Sequence, residues 1–456
     1  MRHIYFIALS VSIMLSSCAT YHQKNAQFQA MVAAGKFTEA NKILDKTAKV
    51  ANGKNRVLYF FDKGVTEHMI GNYEVSNQWF QKADRYMEDF SRDLGTEALA
   101  LMTNPSVRPY KPEDFEGVMI HFYQTLNFLF LNNYESALVE CRRLNNQLNR
   151  LNDKYKNHKN KYSEDAFAHH LMGMIYEASG DANNAFIAYR NAISAYENVY
   201  KPLFGIDVPQ QLKHDIIRAA NQTGFRTEAS EFEKKYNLTT PSNPSGNGTL
   251  VFFWMNGLGP IKQEWSINFV NTGFNNGWLT LADSETGTSF PLFIGNYSSN
   301  EQGALKNLSA LRIAFPKYES RPAIYQQADL VINRQRFALE KGEDINAIAF
   351  QSLKDRMLRE IGLSIARLAT KKAMEKMVRS QNENLGSVLS IVNAITEKAD
   401  TRNWQTLPGS ISYTRVSLPA GTHTIQLEAM GSQRTSVPIT FTIQKGKTTF
   451  YNFHHL

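Results

Sequence analysis

The sequence of 456 residues predicts an α+β protein with more than one domain. Its first half indicates a helical repeat, because glycine, alanine and aromatic residues recur there at similar spacings. Its second half contains short segments of alternating polar and apolar residues, typical of half-buried strands, and one long apolar stripe at helical spacing. The predicted fold is an all-α repeat solenoid followed by a mixed domain of β-sheet with a long helical hairpin.

The first 17 residues have the pattern of a bacterial secretory leader. A basic start at Arg2 precedes an uncharged run from Ile4 to Leu15. That run is about a dozen residues long, which is too short to span a bilayer and typical of a signal peptide. It ends in Leu15-Ser16-Ser17-Cys18, the order of the lipobox at which bacterial lipoproteins are cleaved and acylated. The alternative is an ordinary secretory signal with a chance cysteine.

Acylation of Cys18 predicts a protein anchored to a membrane. Each buried CH₂ group contributes roughly 0.8 kcal/mol, so three acyl chains hold a protein on a membrane almost permanently. Ala19 follows the cysteine, in the position where an aspartate retains lipoproteins of enterobacteria on the inner membrane. The sequence therefore favours a lipid-anchored protein on the outer membrane that faces the periplasm. No acidic run follows Cys18, so export to the cell surface is not expected.

The composition restricts redox chemistry and partners. Apart from Cys18 the chain has only Cys141, so an acylated protein forms no intramolecular disulfide. Cys141 falls in a helical pattern and is expected to be a small packed residue. The formal net charge of +8 favours an anionic neighbour such as a lipid headgroup or cell-wall polymer. Nucleic-acid binding would need a concentrated basic patch or stripe, which the net charge alone does not demonstrate, so a nucleic-acid partner is not predicted.

The repeat pattern in residues 18–236 resembles the tetratricopeptide repeat (TPR), in which pairs of helices A and B stack into a solenoid. Small residues such as Gly173 and Ala185 allow helix A to approach helix B closely. Gly71 and Gly180 are placed to end an A helix in the left-handed conformation. The predicted packing residues are Gly64, Tyr73, Phe80, Ala83, Tyr134, Ala137, Gly173, Tyr176, Ala185, Tyr189 and Ala192. The resemblance implies a concave groove that binds a partner protein.

A polar linker at residues 237–248, rich in Pro, Gly and Ser, separates the solenoid from an α+β domain at 249–456. Strands are predicted at residues 249–254, 264–269, 308–315, 328–333, 412–418, 422–428, 438–444 and 448–453, with a turn at 256–260. The last of these suggest an Ig-like or transthyretin-like sandwich. Helices at about 345–379 and 385–398 form the predicted hairpin, which is expected to cover the sheet; the alternative is that it docks on a partner or a membrane.

Three further segments carry a family resemblance. They are Asn256-Gly257-Leu258-Gly259-Pro260-Ile261-Lys262, the segment Ala399–Pro408 and the turn Leu418-Pro419-Ala420-Gly421-Thr422. Together with the lipobox and the repeats, they make the chain similar to the uncharacterised TPR-bearing lipoproteins widespread in Gram-negative bacteria. The resemblance covers nearly the whole chain and implies no established activity. Members are often encoded near small lipoproteins connected with peptidoglycan-synthase activation, which implies work in the cell envelope.

Catalytic chemistry is not predicted. The sequence has no G-x-S-x-G, H-E-x-x-H or C-x-x-C motif. Gly446-Lys447-Thr448 matches the end of a P-loop, but Phe441 stands where the upstream glycine is required. His169 and His170 are adjacent in a helix and point about 100° apart, so they cannot bind one metal together. We therefore expect no enzyme, no metal and no cofactor.

The candidate binding residues are Asp400, Arg402 and Trp404. The acidic Asp400 and the basic Arg402 flank Thr401, and Trp404 with Pro408 makes a rigid aromatic platform. In the structural alternative, Trp404 is buried against the sheet, Arg402 pairs with a carboxylate, and Asp400 caps the turn after the helix.

The predicted function is a membrane-anchored periplasmic scaffold that holds an envelope protein in the TPR groove. The alternative is a lipoprotein that binds a cell-wall or glycan polymer. In that case the aromatic rings of Trp254, Trp265, Trp278 and Trp404 stack on sugars, and the basic balance helps. Mostly buried tryptophans would remove this alternative.

Overall fold

The computed structural model describes residues 21–92, 108–154, 162–239, 246–283, 289–296, 299–306, 310–357 and 399–456. Helices fill the first half of this chain and strands the second, as the sequence predicts. The leader, Cys18, most of the predicted helix 345–379 and all of the predicted helix 385–398 lie outside the described residues. Within the described ranges, no helix combines the length and apolar character needed to cross a bilayer.

The described residues of the helical half form a row of five hairpins. Its helices are α1 (Tyr21–Lys24), α2 (Ala26–Ala33), α3 (Phe37–Lys46), α4 (Arg56–Ile70), α5 (Tyr73–Arg92), α6 (Asp114–Phe130), α7 (Tyr134–Lys154), α8 (Ala166–Ala178), α9 (Ala182–Ala195), α10 (Lys201–Phe204), α11 (Gln210–Thr223) and α12 (Arg226–Tyr236). The A helices are α2, α4, α6, α8 and α11; the B helices are α3, α5, α7, α9 and α12. Successive hairpins pack side by side through α5 with α6, α7 with α8 and α9 with α11, so this half is TPR-like.

The A and B helices approach each other most closely at glycines. A Cβ atom on Gly64 would lie 2.6 Å from the Phe80 ring, and one on Gly173 would lie 2.3 Å from the Tyr189 ring. Of the predicted packing residues, Tyr73, Tyr134 and Tyr176 are half-buried, and the last two pack against the edge of the core. The others are buried: Gly64, Phe80, Ala83, Ala137, Gly173, Ala185, Tyr189 and Ala192. The same glycine–aromatic contact therefore sets the helix spacing in two hairpins.

We expect Gly64→Ala and Gly173→Ala each to lower the free energy of unfolding by about 1–3 kcal/mol, because the added methyl group forces an aromatic ring to move. Gly117→Ala on helix α6 is the control, since its Cβ would meet only the ends of two flexible side chains, Met87 at 3.1 Å and Gln147 at 3.4 Å. Urea unfolding followed by circular dichroism measures the change. Equal midpoints for Gly173→Ala and Gly117→Ala would contradict the close-packing interpretation.

Twelve strands form three four-stranded sheets in the described chain. The strands are β1 (Asn247–Leu258), β2 (Ile261–Asn275), β3 (Trp278–Asp283), β4 (Ser289–Phe293), β5 (Ala310–Glu319), β6 (Tyr325–Ile332), β7 (Gln335–Ala338), β8 (Glu340–Asp344), β9 (Pro408–Pro419), β10 (Gly421–Gly431), β11 (Arg434–Ile443) and β12 (Thr448–His455). The first sheet has the order β12-β1-β9-β8, the second β11-β10-β6-β7 and the third β4-β3-β2-β5. β12 runs parallel to β1, whereas β9 runs antiparallel to it.

The predicted turn at residues 256–260 is wrong in its first part. Strand β1 continues to Leu258, which pairs with Pro408, and only Gly259 and Pro260 connect it to β2. Gly257 adopts the left-handed conformation, with φ +64°, inside the strand. Glycine therefore causes a local distortion of the strand and does not end it.

Helix α13 (Ser299–Lys306) lies beside the third sheet, and residues 345–357 form helix α14, which begins where the sequence predicts. The Ig-like or transthyretin-like class of the sheets stays a prediction.

The first sheet is the middle layer of the molecule. On one face, side chains such as Phe253 and Tyr413 join a continuous apolar core with the helical repeats. On the other face, the alternate residues Leu250, Phe252 and Trp254 pack against the second sheet. Because successive side chains of a strand point to opposite faces, one strand serves both cores. The helical half and the strands are thus parts of one packed structure.

Candidate functional site: the interface between the repeats and the first sheet

The A-helix face of the solenoid lies against the first sheet. Phe167 of α8 packs its ring against Phe253 of β1 at 6.1 Å and Tyr413 of β9 at 5.7 Å. Helix α4 reaches β12 through polar contacts, α6 packs on β12, and α11 reaches β9 through an ion pair. The groove predicted for an envelope partner is therefore filled by the chain's own sheet. The prediction that a partner lies there is corrected by this structure, because apolar side chains of β1 and β9 occupy the position.

Trp404, predicted to be an exposed platform or to be buried against the sheet, lies among the helices. Its side chain is only 1% exposed. The indole stacks on Phe61 of α4 at 4.3 Å and lies 5.9 Å from Phe80 and 6.0 Å from Tyr123. The backbone N–H of Trp404 donates to Oε1 of Glu116 at 2.6 Å. A ligand that stacked on this ring would have to displace Phe61, so the observed arrangement is that of a packing residue.

Arg402 pairs with a carboxylate, as in the structural alternative, but that carboxylate is Asp400, to which the alternative gave a separate capping role. The Arg402 Nε–H donates to Asp400 Oδ1 at 2.8 Å, and its Nη2–H donates to Oδ2 at 2.6 Å. The Nη1–H group of the same arginine donates to Asn55 Oδ1 and to the Arg108 carbonyl, both at 2.9 Å. The pair therefore ties the segment Ala399–Pro408 to the first hairpins of the repeat domain.

Buried acidic residues beside this segment were missed by the sequence analysis. Thr406 donates its hydroxyl to Oδ1 of Asp62 at 2.9 Å, and Glu116 accepts the Trp404 N–H. Burial raises the pKa of Asp62 and the pKa of Glu116, each to about 7. Burial also opposes ionisation of Glu113, but the adjacent Arg356 and Lys262 lower its pKa. The signal for Asp62 was available, since it interrupts the apolar run of α4.

We expect Asp62→Asn to flatten the pH dependence of stability. The folded pKa of Asp62, about 7, exceeds the ordinary value of 3.8, so the folded protein binds a proton more tightly. The associated stability is fully present below about pH 4 and is lost as pH rises to about 7. Urea unfolding at pH 5 and pH 8 measures this loss, which should be smaller in the asparagine variant, where Glu116 still contributes its raised pKa. Asp207→Asn, at an exposed carboxylate, is the control, and equal slopes for wild type and Asp62→Asn would refute the assignment.

A second buried cluster joins β9 to helices α8 and α11. Arg415 Nη1 lies 2.7 Å from Glu177 Oε2 and 3.4 Å from Asp215 Oδ1. Arg218 pairs with the same two carboxylates, and His170 Nε2 lies 3.0 Å from Asp215 Oδ2. Burial lowers the pKa of His170, so the imidazole is neutral near pH 7. A histidine and carboxylates thus converge, but they do so in the core beside two arginines, where they fix the sheet to the helices.

A third contact joins helix α4 to β12. His68 Nδ1 lies 2.6 Å from Asn127 Oδ1, and Asn452 Nδ2 lies 2.8 Å from His68 Nε2. Burial lowers the pKa of His68 to about 4, so the ring is neutral. Its Nδ1–H therefore donates to the Asn127 carbonyl oxygen, and its Nε2 accepts from the Asn452 amide. This chain of hydrogen bonds fixes the side of β12 that faces the repeats.

The remaining predicted groups are placed as follows. Cys141 is buried, its pKa is raised to about 12 by burial, and it is a packed residue as predicted. Trp254 is 1% exposed, whereas Trp265 and Trp278 are 43% and 48% exposed. No group of His, Cys, Asp and Glu in the described ranges has the arrangement of a metal site. Two of the four tryptophans thus remain accessible to a polymer.

Comparisons with solved structures match about half of the chain. No protein-family model matches the sequence, and no curated protein matches it. Among solved structures, the chain is similar to MamA, at 18% identity over 48% of this chain and 92% of MamA, with a TM-score of 0.29. It is similar to a putative kinesin light chain with nearly identical TPR-like repeats from Podosopora anserina, at 11% identity over 47% and 91%, with a TM-score of 0.31. It is also similar to BtubC (BKLC) from P. vanneervenii, at 12% identity over 53% and 89%, with a TM-score of 0.32. The TPR-like nature of the helical half therefore rests on its own hairpin geometry.

Proposed function

We propose that the protein is a lipid-anchored periplasmic scaffold that binds protein partners in assembly or maintenance of the bacterial cell envelope. The observation that supports this most is the stack of TPR-like hairpins, an architecture that presents extended surfaces to other proteins. Its A-helix face is already occupied by the first sheet through Phe253, Tyr413 and Arg415. Partners would therefore bind the surfaces that the interlocked repeats and sheets leave outside.

The beginning of the described chain suits a short tether. Helix α1 starts at Tyr21, three residues after Cys18, and His22 Nδ1 lies 3.0 Å from Gln405 Oε1. An extended residue spans at most about 3.6 Å, so an acylated Cys18 would lie within roughly 11 Å of Tyr21. The proposed anchor thus holds the body next to the membrane, and Ala19 favours the outer membrane.

Crosslinking in living cells, followed by affinity capture and mass spectrometry, tests this function. Wild type is compared with Cys18→Ser, which removes the proposed acylation site and leaves every described contact in place. We expect a specific envelope protein to be captured by the wild type only, and membrane fractionation to place the wild type in the outer membrane. Equal fractionation of the two forms would overturn the anchor. Capture of abundant neighbours alone would overturn the scaffold.

The exposed aromatic residues of the third sheet favour polymer binding as a second candidate function. Trp278 of β3 packs beside Phe293 of β4, with ring centroids 5.2 Å apart, and both side chains are over 40% exposed. Such a pair offers the apolar face on which a sugar ring stacks. Co-sedimentation with purified peptidoglycan tests it: the wild type should pellet and Trp278→Ala should not. Equal pelleting of both proteins, or of neither, would remove this candidate.

A further inference from the structure

Strand β12 borders an open cleft along nearly its whole length. The cleft has a volume of about 870 Å³, and seven consecutive residues of the strand, 448–454, line it. Side chains of a strand alternate between faces, so seven consecutive lining residues mean that the cleft follows the edge of the strand. The opposite wall is a row of turns between A and B helices, at Gly35, Gly71 and Asn132.

The edge of β12 presents backbone groups to this cleft. The carbonyl of Lys447 accepts the N–H of Thr249 in β1. Since backbone groups of successive strand residues point to opposite sides, those of alternate residues from Thr448 onward face away from β1. Tyr134 contacts the Thr448 carbonyl at 3.5 Å from the cleft side, which agrees with this direction. The N–H and C=O groups of Thr448, Phe450, Asn452 and His454 therefore face the cleft.

The other edge strands of the three sheets carry residues that hinder pairing with another strand. They are Lys341 in β8, Pro438 in β11, Arg336 in β7, Pro291 in β4 and Pro316 in β5. Proline and charged side chains are the usual protection of sheet edges. Strand β12 has eight residues and contains no proline, lysine, arginine, aspartate or glutamate. It is thus the edge that lacks this protection.

Contacts with β1 and with the repeats fix the position of β12. Phe450 lies parallel to Phe253 with ring centroids 6.4 Å apart, Asn452 is bonded to His68, and His454 packs against Phe37. A further strand beside β12 would continue the first sheet over the repeats, so it would extend an interface that the chain already makes. Among the described residues that line the cleft, Lys447 is the one charged side chain and there is no carboxylate.

We propose that this cleft binds an extended segment of a partner protein, which pairs with β12 as a fifth strand of the first sheet. The segment is neutral or acidic, because the one charged side chain in the lining of the cleft, Lys447, is positive. The seven strand residues that line the cleft span about 20 Å from first to last, at about 3.3 Å per step, which accommodates roughly seven residues of a paired segment. Backbone hydrogen bonds supply the affinity and alternate side chains the specificity. This inference rests on the proposed scaffold function and assigns it a binding site.

A phage-displayed library of random seven-residue peptides, selected on the purified full chain in detergent, tests the inference. We expect enriched peptides without lysine or arginine that slow hydrogen exchange in residues 448–455 and leave β7, the far edge of the second sheet, unchanged. Thr448→Pro removes one outward N–H and no hydrogen bond to β1, so it should weaken binding by about tenfold or more. Thr448→Val keeps that N–H and should bind as the wild type does. Equal urea midpoints for the two variants show that the fold is retained.

The outcomes separate this site from the scaffold function. Failure to enrich any peptide, protection at another surface, or equal binding by Thr448→Pro and Thr448→Val would each overturn the cleft site. Dimerisation of the chain through β12 that excludes the peptides would overturn it as well. If the envelope protein captured in cells is not displaced by a selected peptide, the scaffold stands and the β12 site is wrong.

Discussion

Replacing Trp404 with alanine should lower the free energy of unfolding by about 3–5 kcal/mol, the cost typical of removing a buried aromatic side chain. The ring is 1% exposed and stacks on Phe61 at 4.3 Å, so the helices cannot close the cavity without moving. Its Nε1–H also donates to the Thr406 hydroxyl at 2.8 Å, and that hydroxyl donates to Asp62. The loss of stability should therefore affect both helix α4 and the segment Ala399–Pro408.

Urea unfolding followed by circular dichroism measures the loss, and hydrogen exchange locates it. We expect faster exchange in α4 and in the segment Ala399–Pro408 of Trp404→Ala. Trp278→Ala is the matched control, because that side chain is 48% exposed and its removal should change stability by less than about 0.5 kcal/mol. If Trp404→Ala keeps the wild-type midpoint yet loses partner capture in cells, the residue is a binding residue and the packing interpretation is wrong.

Local patterns explain how much of the fold the sequence predicts. The glycine–aromatic spacing that identifies Gly173 and Tyr189 records a contact between neighbouring helices, and alternation marks most of the strands. What local patterns do not contain is pairing across the chain. The parallel pair of β1 and β12 brings Thr249 beside Thr448, and no spacing rule anticipates that contact. The first sheet fills the groove because of this long-range pairing. Local patterns do not contain the pairing, so the sequence analysis predicts a groove that is open.

The candidate site shows the same limit. The segment Ala399–Pro408 was recognised as distinctive, but its partner surface on α4 and α6 is supplied by residues far away in the chain. A usable signal was present in β9, where Ile411 and Tyr413 define the face toward the helices and Arg415 continues that register. A charged residue on an apolar face requires a buried partner of opposite charge. The sequence therefore contains the hint of an ion cluster, without naming Glu177 and Asp215.

Replacing Arg415 with methionine should cost about 3–5 kcal/mol of unfolding free energy, because it leaves buried carboxylates with too little positive charge. The Arg415 side chain is 8% exposed, Asp215 is fully buried, and Glu177 is 9% exposed. Arg218 alone would then face both acids. Methionine fills similar space, so the loss reports charge more than volume. Arg336→Met is the control, since that arginine pairs with Asp329 and Glu428 at the surface and should change stability little.

A double variant decides whether the cluster is an electrostatic connection between the sheet and the helices. Arg415→Met combined with Glu177→Gln removes one positive and one negative charge, and Arg218 and Asp215 remain as a pair. The double variant should therefore be more stable than Arg415→Met alone, although it carries one substitution more. Urea midpoints of the wild type, both single variants and the double variant complete the cycle. If the losses simply add, Arg415 and Glu177 do not interact, and other contacts hold the first sheet in the groove, such as the packing of Phe167 on Tyr413 and the hydrogen bond of Asn452 to His68.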